Sequence, residues 1–578
     1  MKWNIKENFK IKRTLLYAAV FILGGVFFAF VKGDDRNFQI AKNLDIFNAL
    51  YKELDMLYVD TIDPEKVIKY GIDAMLSQTD PYTEYYPEGD NTIKELTTGK
   101  FGGIGAAIRY YEKKNRIAIV EPTQGMPAAE AGLKAGDIIM AVDGKDLTRD
   151  KMDIQAFSDK VRSALRGEPG TTMILKVERP LLNGKDEIKE FKITRRTIQS
   201  PAVPFYGMVK GDVGYIVLTD FTDNCSKDVK KALIDLKQEG AKSIVLDLRS
   251  NGGGLLNEAV EIVNLFVPKG KEIVITKGKI KEAGSVYKTT HEPIDTEIPI
   301  AVLVDGYTAS ASEIVSGALQ DFDRAVIIGN RTFGKGLVQT LRELPYNSSM
   351  KITTAKYYIP SGRCIQAIDY SKRNEDGTLA RIPDSLTNVF HTAGGREVRD
   401  GGGIRPDIEV TEDKFPNILF YLVNNDVIFD YATKYVLHHP HLNSVADFKL
   451  TDADYADFKN FVKSQNFTYD RQSEKVMKNL KEVAQFEGYM DDASAEFAAL
   501  EKKLNHNLGR DLDHFSTSIK KALSQEIIKR YYYQRGAIME RIKDDADLDK
   551  AAEVLNNKTE YNKILSSTSK GGPSSKSK

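Results

Sequence analysis

The chain has 578 residues, of which 42% are hydrophobic and 28% charged, so it can build packed cores and is not an intrinsically disordered protein. At roughly 150 residues per domain, this length predicts about three or four domains. Lys plus Arg and Asp plus Glu both number 82, and a net charge of zero argues against nucleic-acid binding. The two cysteines, Cys225 and Cys364, match no disulfide framework and no zinc-site spacing. We predict that the protein uses no cofactor.

The amino terminus has the pattern of a membrane anchor. Residues 1–13 carry five basic residues and one acid, and residues 14–31 carry no charge. Eighteen uncharged residues can span a bilayer, and the positive-inside rule places everything after about residue 33 outside the cytoplasm. A cleaved signal peptide is the alternative, but no small-x-small site follows the apolar run. We expect residues 1–35 to be a cytoplasmic stub and an uncleaved, single-pass anchor in the inner membrane, with the rest of the chain in the periplasm.

The next two regions differ in their periodicity. Within residues 36–95, apolar residues recur at steps of three and four between Ile40 and Leu57, which predicts a helix over 36–80. Residues 96–198 contain short β-like runs separated by Gly and Pro turns, and this pattern predicts a small β-rich domain.

Residues 199–410 alternate apolar strands with amphipathic helices, which is typical of an α/β domain with parallel strands. The predicted strands are Gly214–Leu218, Ser243–Leu248, Ile300–Val304 and Ala325–Ile328, and the predicted helices are Val229–Leu236, Leu255–Phe266 and Ala311–Leu319. Residues 371–402 are polar and Gly-rich, and we predict a surface loop there.

The remaining chain predicts a helical region over 411–565 and a disordered tail over 566–578. The apolar residues of the helical region have the spacing of a bundle that packs on the core. Examples are Val476, Leu480 and Val483, and Ile519, Leu523 and Ile527.

Three sites in the α/β region could carry chemistry. In the first, residues 247–254 (DLRSNGGG) connect a strand to a helix, and the glycines free backbone N–H groups to face an anion or oxyanion. A plain tight turn would use the same glycines.

In the second site, residues 305–313 (DGYTASASE) place a hydroxyl at a helix N-terminus, which suits a serine nucleophile. An ordinary capping box formed by Ser310 and Glu313 is the alternative.

The third site is residues 332–336 (TFGKG), where Lys335 lies between two glycines. A desolvated lysine has a lowered pKa and can act as a general base. The alternatives are a surface lysine and a phosphate-binding loop, since residues 329–335 spell GxxxxGK. However, position 336 is Gly where that loop requires Ser or Thr.

Together, the three sites resemble those of the carboxy-terminal processing, or tail-specific, serine peptidases. The TASASE segment begins at Thr308, and the resemblance implies a nucleophile at Ser310, a general base at Lys335 and an accompanying Gln339. Ser312 is the competing serine. The resemblance also implies an oxyanion hole formed by the N–H of Gly253, or of its neighbour Gly254, and that of Ala311. The implied fold is a ClpP/crotonase-like core with an inserted PDZ domain.

The β-rich domain carries the PDZ part of the resemblance. Residues 101–105 (FGGIG) are similar to a carboxylate-binding loop, which implies that Gly102, Gly103, Ile104 and Gly105 bind a peptide C-terminus. Residues 125–137 match the GSPAAxAGLxxGD pattern with Met126 in place of a small residue, and residues 403–407 match the closing GxxPD pattern.

The resemblance implies a membrane-anchored serine endopeptidase that cleaves proteins near free, apolar C-termini. It further implies self-association through helical segments and an adaptor protein as partners. A non-catalytic PDZ scaffold on the same core is the main alternative, and a P-loop NTPase is the third.

Overall fold

The structure is a computed structural model that describes residues 36–90, 92–370, 379–411, 415–504 and 507–566. The chain divides into two compact units, Met1–Tyr85 and Tyr86–Lys578. The predicted membrane anchor and all but Ser566 of the predicted tail lie outside the described residues. No helix within the described residues is both long and apolar enough to span a membrane.

The described part of the first unit, from residue 36 onward, contains two helices, α1 (residues 36–57) and α2 (Pro64–Leu76). The single helix predicted over 36–80 is therefore wrong at residues 58–63. Asp63 is the N-cap of α2, where its carboxylate accepts the Lys66 N–H at 3.3 Å, and Pro64 occupies the first helical position. A residue before proline is disfavoured in a helix, so α1 cannot continue through Asp63. A short strand, β1 (Glu84–Tyr86), follows at the unit boundary.

The β-rich domain follows α3 (Thr92–Thr98). Its strands are β2 (Lys100–Gly103), β3 (Ala106–Tyr111), β4 (Arg116–Pro122), β5 (Ile138–Val142), β6 (Lys145–Asp146), β7 (Thr172–Pro180), β8 (Asp186–Thr194) and β9 (Arg196–Gln199), and its helices are α4 (Pro127–Glu130) and α5 (Ile154–Leu165). The main sheet is antiparallel in the order β3-β4-β5-β7-β8, while β2 pairs with β9. The predicted β-rich character is confirmed, but α5 was not predicted. Its buried Phe157, Val161 and Leu165 lie at helical spacing within a polar segment.

The α/β region is built on a six-stranded sheet in the order β10-β11-β12-β15-β16-β21. These strands are β10 (Phe205–Val209), β11 (Val213–Val217), β12 (Ser243–Asp247), β15 (Ile300–Val304), β16 (Val326–Gly329) and β21 (Ile408–Glu409). All neighbours are parallel except β10 and β11. Helices α6 (Cys225–Gln238), α7 (Leu256–Asn264) and α8 (Ala311–Asp321) connect the strands, which confirms the predicted α/β alternation.

A second sheet runs in the order β14-β13-β18-β17. Its strands are β13 (Glu272–Gly278), β14 (Ser285–Lys288), β17 (Leu337–Glu343) and β18 (Ser349–Tyr358). The surface loop predicted over 371–402 is only partly correct, because β19 (Val389–His391) and β20 (Glu397–Arg399) form a hairpin. Arg396 anchors this hairpin: it is buried and forms ion pairs with Asp323 and Asp407.

The carboxy-terminal region is helical as predicted. Its helices are α9 (Asn417–Asn424), α10 (Val427–His438), α11 (Asp452–Ser464), α12 (Gln472–Glu487), α13 (Ser494–Leu504), α14 (Leu508–His514), α15 (Ser516–Arg541), α16 (Ala546–Asn556) and α17 (Lys558–Ser566). Ile519, Leu523 and Ile527 are buried in this bundle. The prediction is wrong for α12, where the Val476 side chain is 62% exposed and Leu480 and Val483 are also exposed.

The last two helices cover one face of the six-stranded sheet. Leu548, Val554 and Tyr561 pack against strand residues such as Val245 and Leu303. The alternate strand residues, including Ile244 and Val302, face α6, α7 and α8 on the other side. Because both faces are covered, the strands are apolar throughout, which is the pattern that makes them visible in the sequence.

Candidate active site

The glycine-containing loop between β12 and α7 is tied to the segment before α8. Asn251 is fully buried, and its carbonyl oxygen accepts the Ala309 N–H at 3.0 Å and the Ser312 hydroxyl at 2.9 Å. The Asn251 side-chain amide donates to the Leu218 carbonyl at 2.8 Å. The first two predicted sites therefore lie side by side.

Gly253 lies directly against Ser310. Its φ is +97°, and a Cβ at this position would come within 2.8 Å of both the Ser310 Cβ and the Ala311 nitrogen. A Cβ on Gly254 would instead meet the Phe221 carbonyl oxygen at 2.5 Å. Of the two glycines that the sequence left open, Gly253 is the one beside the serine.

The two predicted oxyanion donors differ in their present bonding. The Gly253 N–H donates to the Asn251 Oδ1 at 2.9 Å, so an oxyanion would have to share or replace that bond. The Ala311 N–H, at the first position of α8, has no hydrogen-bond partner within the described residues. An N–H group at this position of a helix is free to bind an anion.

Ser310 and Ser312 have different environments. Ser310 is half-buried at the N-cap of α8 with φ 57° and ψ −115°, a strained conformation for a residue other than glycine. Ser312 is fully buried, and its hydroxyl is bonded to Asn251. The geometry therefore favours Ser310 as the accessible nucleophile.

Glu313 links the serine segment to the lysine segment. Its Oε2 accepts the backbone N–H of Ser310 at 2.9 Å and that of Lys335 at 2.8 Å. Its Oε1 accepts the Gly334 N–H at 2.8 Å and the Thr332 hydroxyl at 2.5 Å. Burial raises the pKa of this carboxyl above its ordinary value, although these four donors act in the opposite direction. Ser310 and Glu313 have the arrangement of a capping box, yet the same carboxylate also joins the second and third sites.

The lysine segment is not a phosphate-binding loop. Residues 332–336 lie between β16 and strand β17, whereas a phosphate-binding loop leads into a helix N-terminus. The NTPase alternative is therefore wrong on local structure. The Gly336 N–H donates to the Gln366 Oε1 at 2.7 Å, so both sides of Lys335 are fixed through the backbone.

One cleft of about 500 Å³ brings the predicted catalytic residues together. Its polar lining includes Gly253, Ser310, Ala311, Lys335 and Gln339. The Gln339 amide donates to the Thr353 hydroxyl at 3.1 Å, across the β17–β18 hairpin. Much of the remaining lining is apolar: Ile93, Leu96, Phe221, Leu255, Leu256, Ile314, Leu337, Val338 and Leu341.

Three family models match parts of this chain. Residues 212–371 match Peptidase family S41, residues 119–179 match the PDZ domain, and residues 418–555 match the family described as "Probable PDZ-protease, C-terminal helical domain". A carboxy-terminal-processing protease of Bartonella bacilliformis is 38% identical over 57% of this chain and 73% of that protein. The chain is a carboxy-terminal-processing serine protease.

Further relatives carry the same description. A probable CtpA-like serine protease of Staphylococcus aureus is 36% identical over 61% of this chain and 68% of that protein. A solved structure titled photosystem II D1 C-terminal processing protease is 25% identical, covers 64% of this chain and 93% of that chain, and has a TM-score of 0.33.

The predicted peptide-binding residues of this protease lie apart from the cleft that contains Ser310. Gly102 and Gly103 belong to β2, and Ile104 and Gly105 follow it; the cleft lining includes none of these four. Gly105 packs against Met126, since a Cβ at Gly105 would come within 2.5 Å of the Met126 Cβ. The backbone here is tightly packed, and the Ile104 carbonyl accepts the Ala128 N–H at 2.8 Å.

Two residues of the protease site were not predicted. Asn251 holds the glycine loop, and the only sequence signal for it is its place between the strand and the glycines. Tyr357 is buried in the second sheet, and its hydroxyl donates to the Ser310 carbonyl at 3.2 Å. It lies 47 residues from Ser310 in the sequence, with no motif to mark it.

Proposed function

We propose that this chain is a membrane-anchored serine endopeptidase with a Ser310–Lys335 dyad, which cleaves proteins near their C-termini. The observation that supports the dyad most directly is the Glu313 carboxylate, whose Oε2 binds the backbone N–H groups of both residues. Both residues also line one cleft with Gly253 and Ala311, which supports the proposal. The core would be of the ClpP/crotonase type.

In the proposed reaction, the neutral amine of Lys335 accepts the Ser310 hydroxyl proton as the serine oxygen attacks the scissile carbonyl carbon. The carbonyl oxygen becomes an oxyanion and binds the N–H groups of Gly253 and Ala311. The carbon–nitrogen bond then breaks, and the proton passes to the leaving amine. Water hydrolyses the acyl-enzyme by the same steps. Gln339 would orient the lysine.

The PDZ domain would select the substrate by its terminus. The backbone N–H groups of residues 102–105 would bind a free carboxylate while the peptide adds as a strand. Apolar terminal residues suit the pocket that accompanies such a loop. The apolar lining of the catalytic cleft also favours an unfolded, apolar segment as the substrate.

The decisive experiment incubates the full-length chain, in detergent, with an unstructured protein that ends in apolar residues. Ser310→Ala and Lys335→Ala serve as inactive variants, and mass spectrometry identifies the products. Cleavage by the wild type alone supports the proposal. Full activity of Lys335→Ala would refute the dyad, and equal cleavage of a C-terminally amidated substrate would refute the role of the PDZ domain. Peptide binding without cleavage by any variant would favour the scaffold alternative.

The proposed membrane attachment depends on residues 14–31. Their uncharged run behind a basic flank supports a single-pass anchor with the protease outside the cytoplasm. Added external protease should then digest the chain in spheroplasts while leaving cytoplasmic markers intact. Release of the mature chain from the membrane would favour a cleaved signal peptide. Cross-linking in the same membranes would show whether the chain self-associates or binds an adaptor.

A further inference from the structure

A buried cluster of charged groups joins the end of β12 to the carboxy-terminal helices. The Arg249 guanidinium lies among three carboxylates, and its side chain is only 13% exposed. Its Nη2 donates to Asp247 at 2.7 Å and to Asp545 at 2.7 Å, and its Nη1 donates to Asp545 at 2.9 Å and to Asp547 at 2.8 Å. Two of the three carboxylates therefore come from residues nearly 300 positions away in the sequence.

The carboxy-terminal partners are rigidly placed. Asp545 is the N-cap of α16, where its side chain accepts the Leu548 N–H at 3.2 Å. The apolar face of α16, which includes Leu548 and Leu555, is buried against the six-stranded sheet. Both Nη atoms of Arg249 donate to the Asp545 carboxylate, which is bidentate geometry, and Nη1 also donates to Asp547. Because α16 is fixed, these bonds define the position of the arginine closely.

Arg249 is the second residue of the loop that follows β12 and leads to Gly253. The next residue, Ser250, has φ 60°, and its N–H donates to the Asp305 carboxylate at 2.9 Å. Asn251 follows and binds the Gly253 N–H. Three residues separate Arg249 from the predicted oxyanion donor, and Ser250 and Asn251 are both held by hydrogen bonds. A shift of Arg249 therefore reaches Gly253 through a short loop in which Gly252 is the one glycine.

Charge balance explains why the pair of aspartates matters. Arg541 adds a second positive charge, 3.2 Å from Asp247, so the cluster contains two arginines and three aspartates. Burial raises the pKa of Asp247, but the charges of Arg249 and Arg541 outweigh it and lower the pKa overall. Without the α16 carboxylates, Asp247 alone would have to balance both arginines, and Arg249 would be free to move toward it or toward solvent.

We infer that Asp545 and Asp547 are positioning residues for catalysis, which act through Arg249 to hold Gly253 against Ser310. This inference rests on the proposed function, because it assumes that Gly253 is an oxyanion donor. It assigns a role in the reaction to the carboxy-terminal helical region, which otherwise covers the sheet.

The test compares Asp545→Asn, Asp547→Asn and the double variant with Asp549→Asn in the full-length chain. Asn is also a good N-cap, so Asp545→Asn removes the charge while keeping the start of α16. Asp549 is the matched control, since it lies on the same helix but pairs at 2.6 Å with Lys210, away from the loop. The readouts are kcat, KM, inhibition by a substrate-like peptide boronate and the affinity of Ser310→Ala versions for the uncleaved peptide.

We expect kcat to fall roughly tenfold in each single variant and about 100-fold in the double variant, because small misplacements of catalytic groups have effects of this size. Boronate inhibition should weaken in parallel, since the boronate places an oxygen where the oxyanion forms. KM, peptide affinity and the Asp549→Asn control should stay within about twofold of the wild type. A double variant that folds normally and retains wild-type kcat would overturn the inference, as would equal losses of boronate and peptide binding.

Two features keep the test decisive. If the double variant fails to fold, Asp547→Asn alone decides, because Asp547 contacts Arg249 through a single nitrogen and caps no helix. Cleavage by Ser310→Ala would overturn the proposed function and this inference with it. Ser310-dependent cleavage beside fully active aspartate variants would overturn the inference alone.

Discussion

Glu313 accepts the backbone N–H of Lys335 at 2.8 Å, although 22 residues separate the two in the sequence. The contact crosses from the first turn of α8 to the loop before β17. A carboxylate at a helix N-terminus stabilises that helix, and here it also fixes the position of a second segment. One buried side chain therefore holds the serine and lysine motifs together.

Glu313→Gln should lower both activity and stability. The Gln amide would turn an N–H₂ group toward backbone N–H donors, so two of the four hydrogen bonds to residue 313 would be lost. We expect the free energy of unfolding to fall by about 2–4 kcal/mol and kcat to fall at least about 100-fold. Denaturant unfolding and peptide cleavage measure the two effects.

Glu258→Gln is the matched control for that change. Its carboxylate also accepts two backbone N–H groups, from Asn224 at 3.0 Å and Ser226 at 2.8 Å, but neither belongs to the proposed dyad. It should lose stability without a comparable loss of kcat. Equal losses of kcat in the two variants would mean that Glu313 acts only on stability.

Ser310→Ala should abolish cleavage, whereas Ser312→Ala should retain it. The Ser312 hydroxyl is buried and donates to Asn251 at 2.9 Å, so its loss costs about 1 kcal/mol of stability and leaves the nucleophile in place. Labelling with a fluorophosphonate reports on the nucleophile directly. Labelling of the Ser310→Ala variant at Ser312 would reverse the assignment.

Gly253→Ala should inactivate the protein, and the adjacent Gly252→Ala should not. The new methyl at position 253 would lie 2.7 Å from the Ala309 carbonyl oxygen, at a φ that disfavours alanine. Apart from its own chain neighbours, no atom of the described residues lies within 4 Å of a Cβ at position 252. Cleavage rates of the two variants should differ by at least about 100-fold. Similar rates would show that the approach of Gly253 to Ser310 is not needed for catalysis.

The sequence predicted the catalytic sheet well because that sheet is covered on both sides. Strand β15 has the predicted bounds, Ile300–Val304, while β12 ends one residue earlier than predicted and β16 is shifted by one residue at both ends. Ser310 and Lys335 could be proposed from the sequence because each lies in a short run of consecutive residues that resembles a family motif. These segments are found on one cleft in the structure.

Contacts between distant segments could not be predicted. The pairing of Arg249 with Asp545 joins residues 296 positions apart. The hydrogen bond from the Gly253 N–H to Asn251 is local, but it depends on a side-chain rotamer. The exposed apolar residues of α12 and the buried ones of α15 both recur at steps of three or four, so helical periodicity alone could not separate them. Burial is decided by what packs on a helix, which is a property of the whole fold.

The folded protein should lose stability as pH rises through the titration of Asp426, which lies where the PDZ domain contacts α10. Asp426 pairs with Arg109 of β3, and burial raises the pKa of Asp426 from 3.8 to about 6, although the Arg109 charge opposes the shift. The folded state therefore binds this proton more tightly than the unfolded state. The associated stability is complete below about pH 4 and is lost as pH rises through about 6. Between pH 5 and pH 7 the wild type should lose about 1 kcal/mol relative to Asp426→Asn.

Denaturant unfolding at both pH values, with each variant compared against the wild type, measures this difference. Asp457→Asn is the control, because Asp457 also forms an ion pair that involves α10, with Lys434 at 3.2 Å, but these two side chains are 54% and 40% exposed. An exposed pair contributes little, so its variant should track the wild type at both pH values. If Asp426→Asn also tracks the wild type from pH 5 to pH 7, the Asp426 carboxyl does not titrate in this range, and the PDZ contact has no pH dependence of this origin.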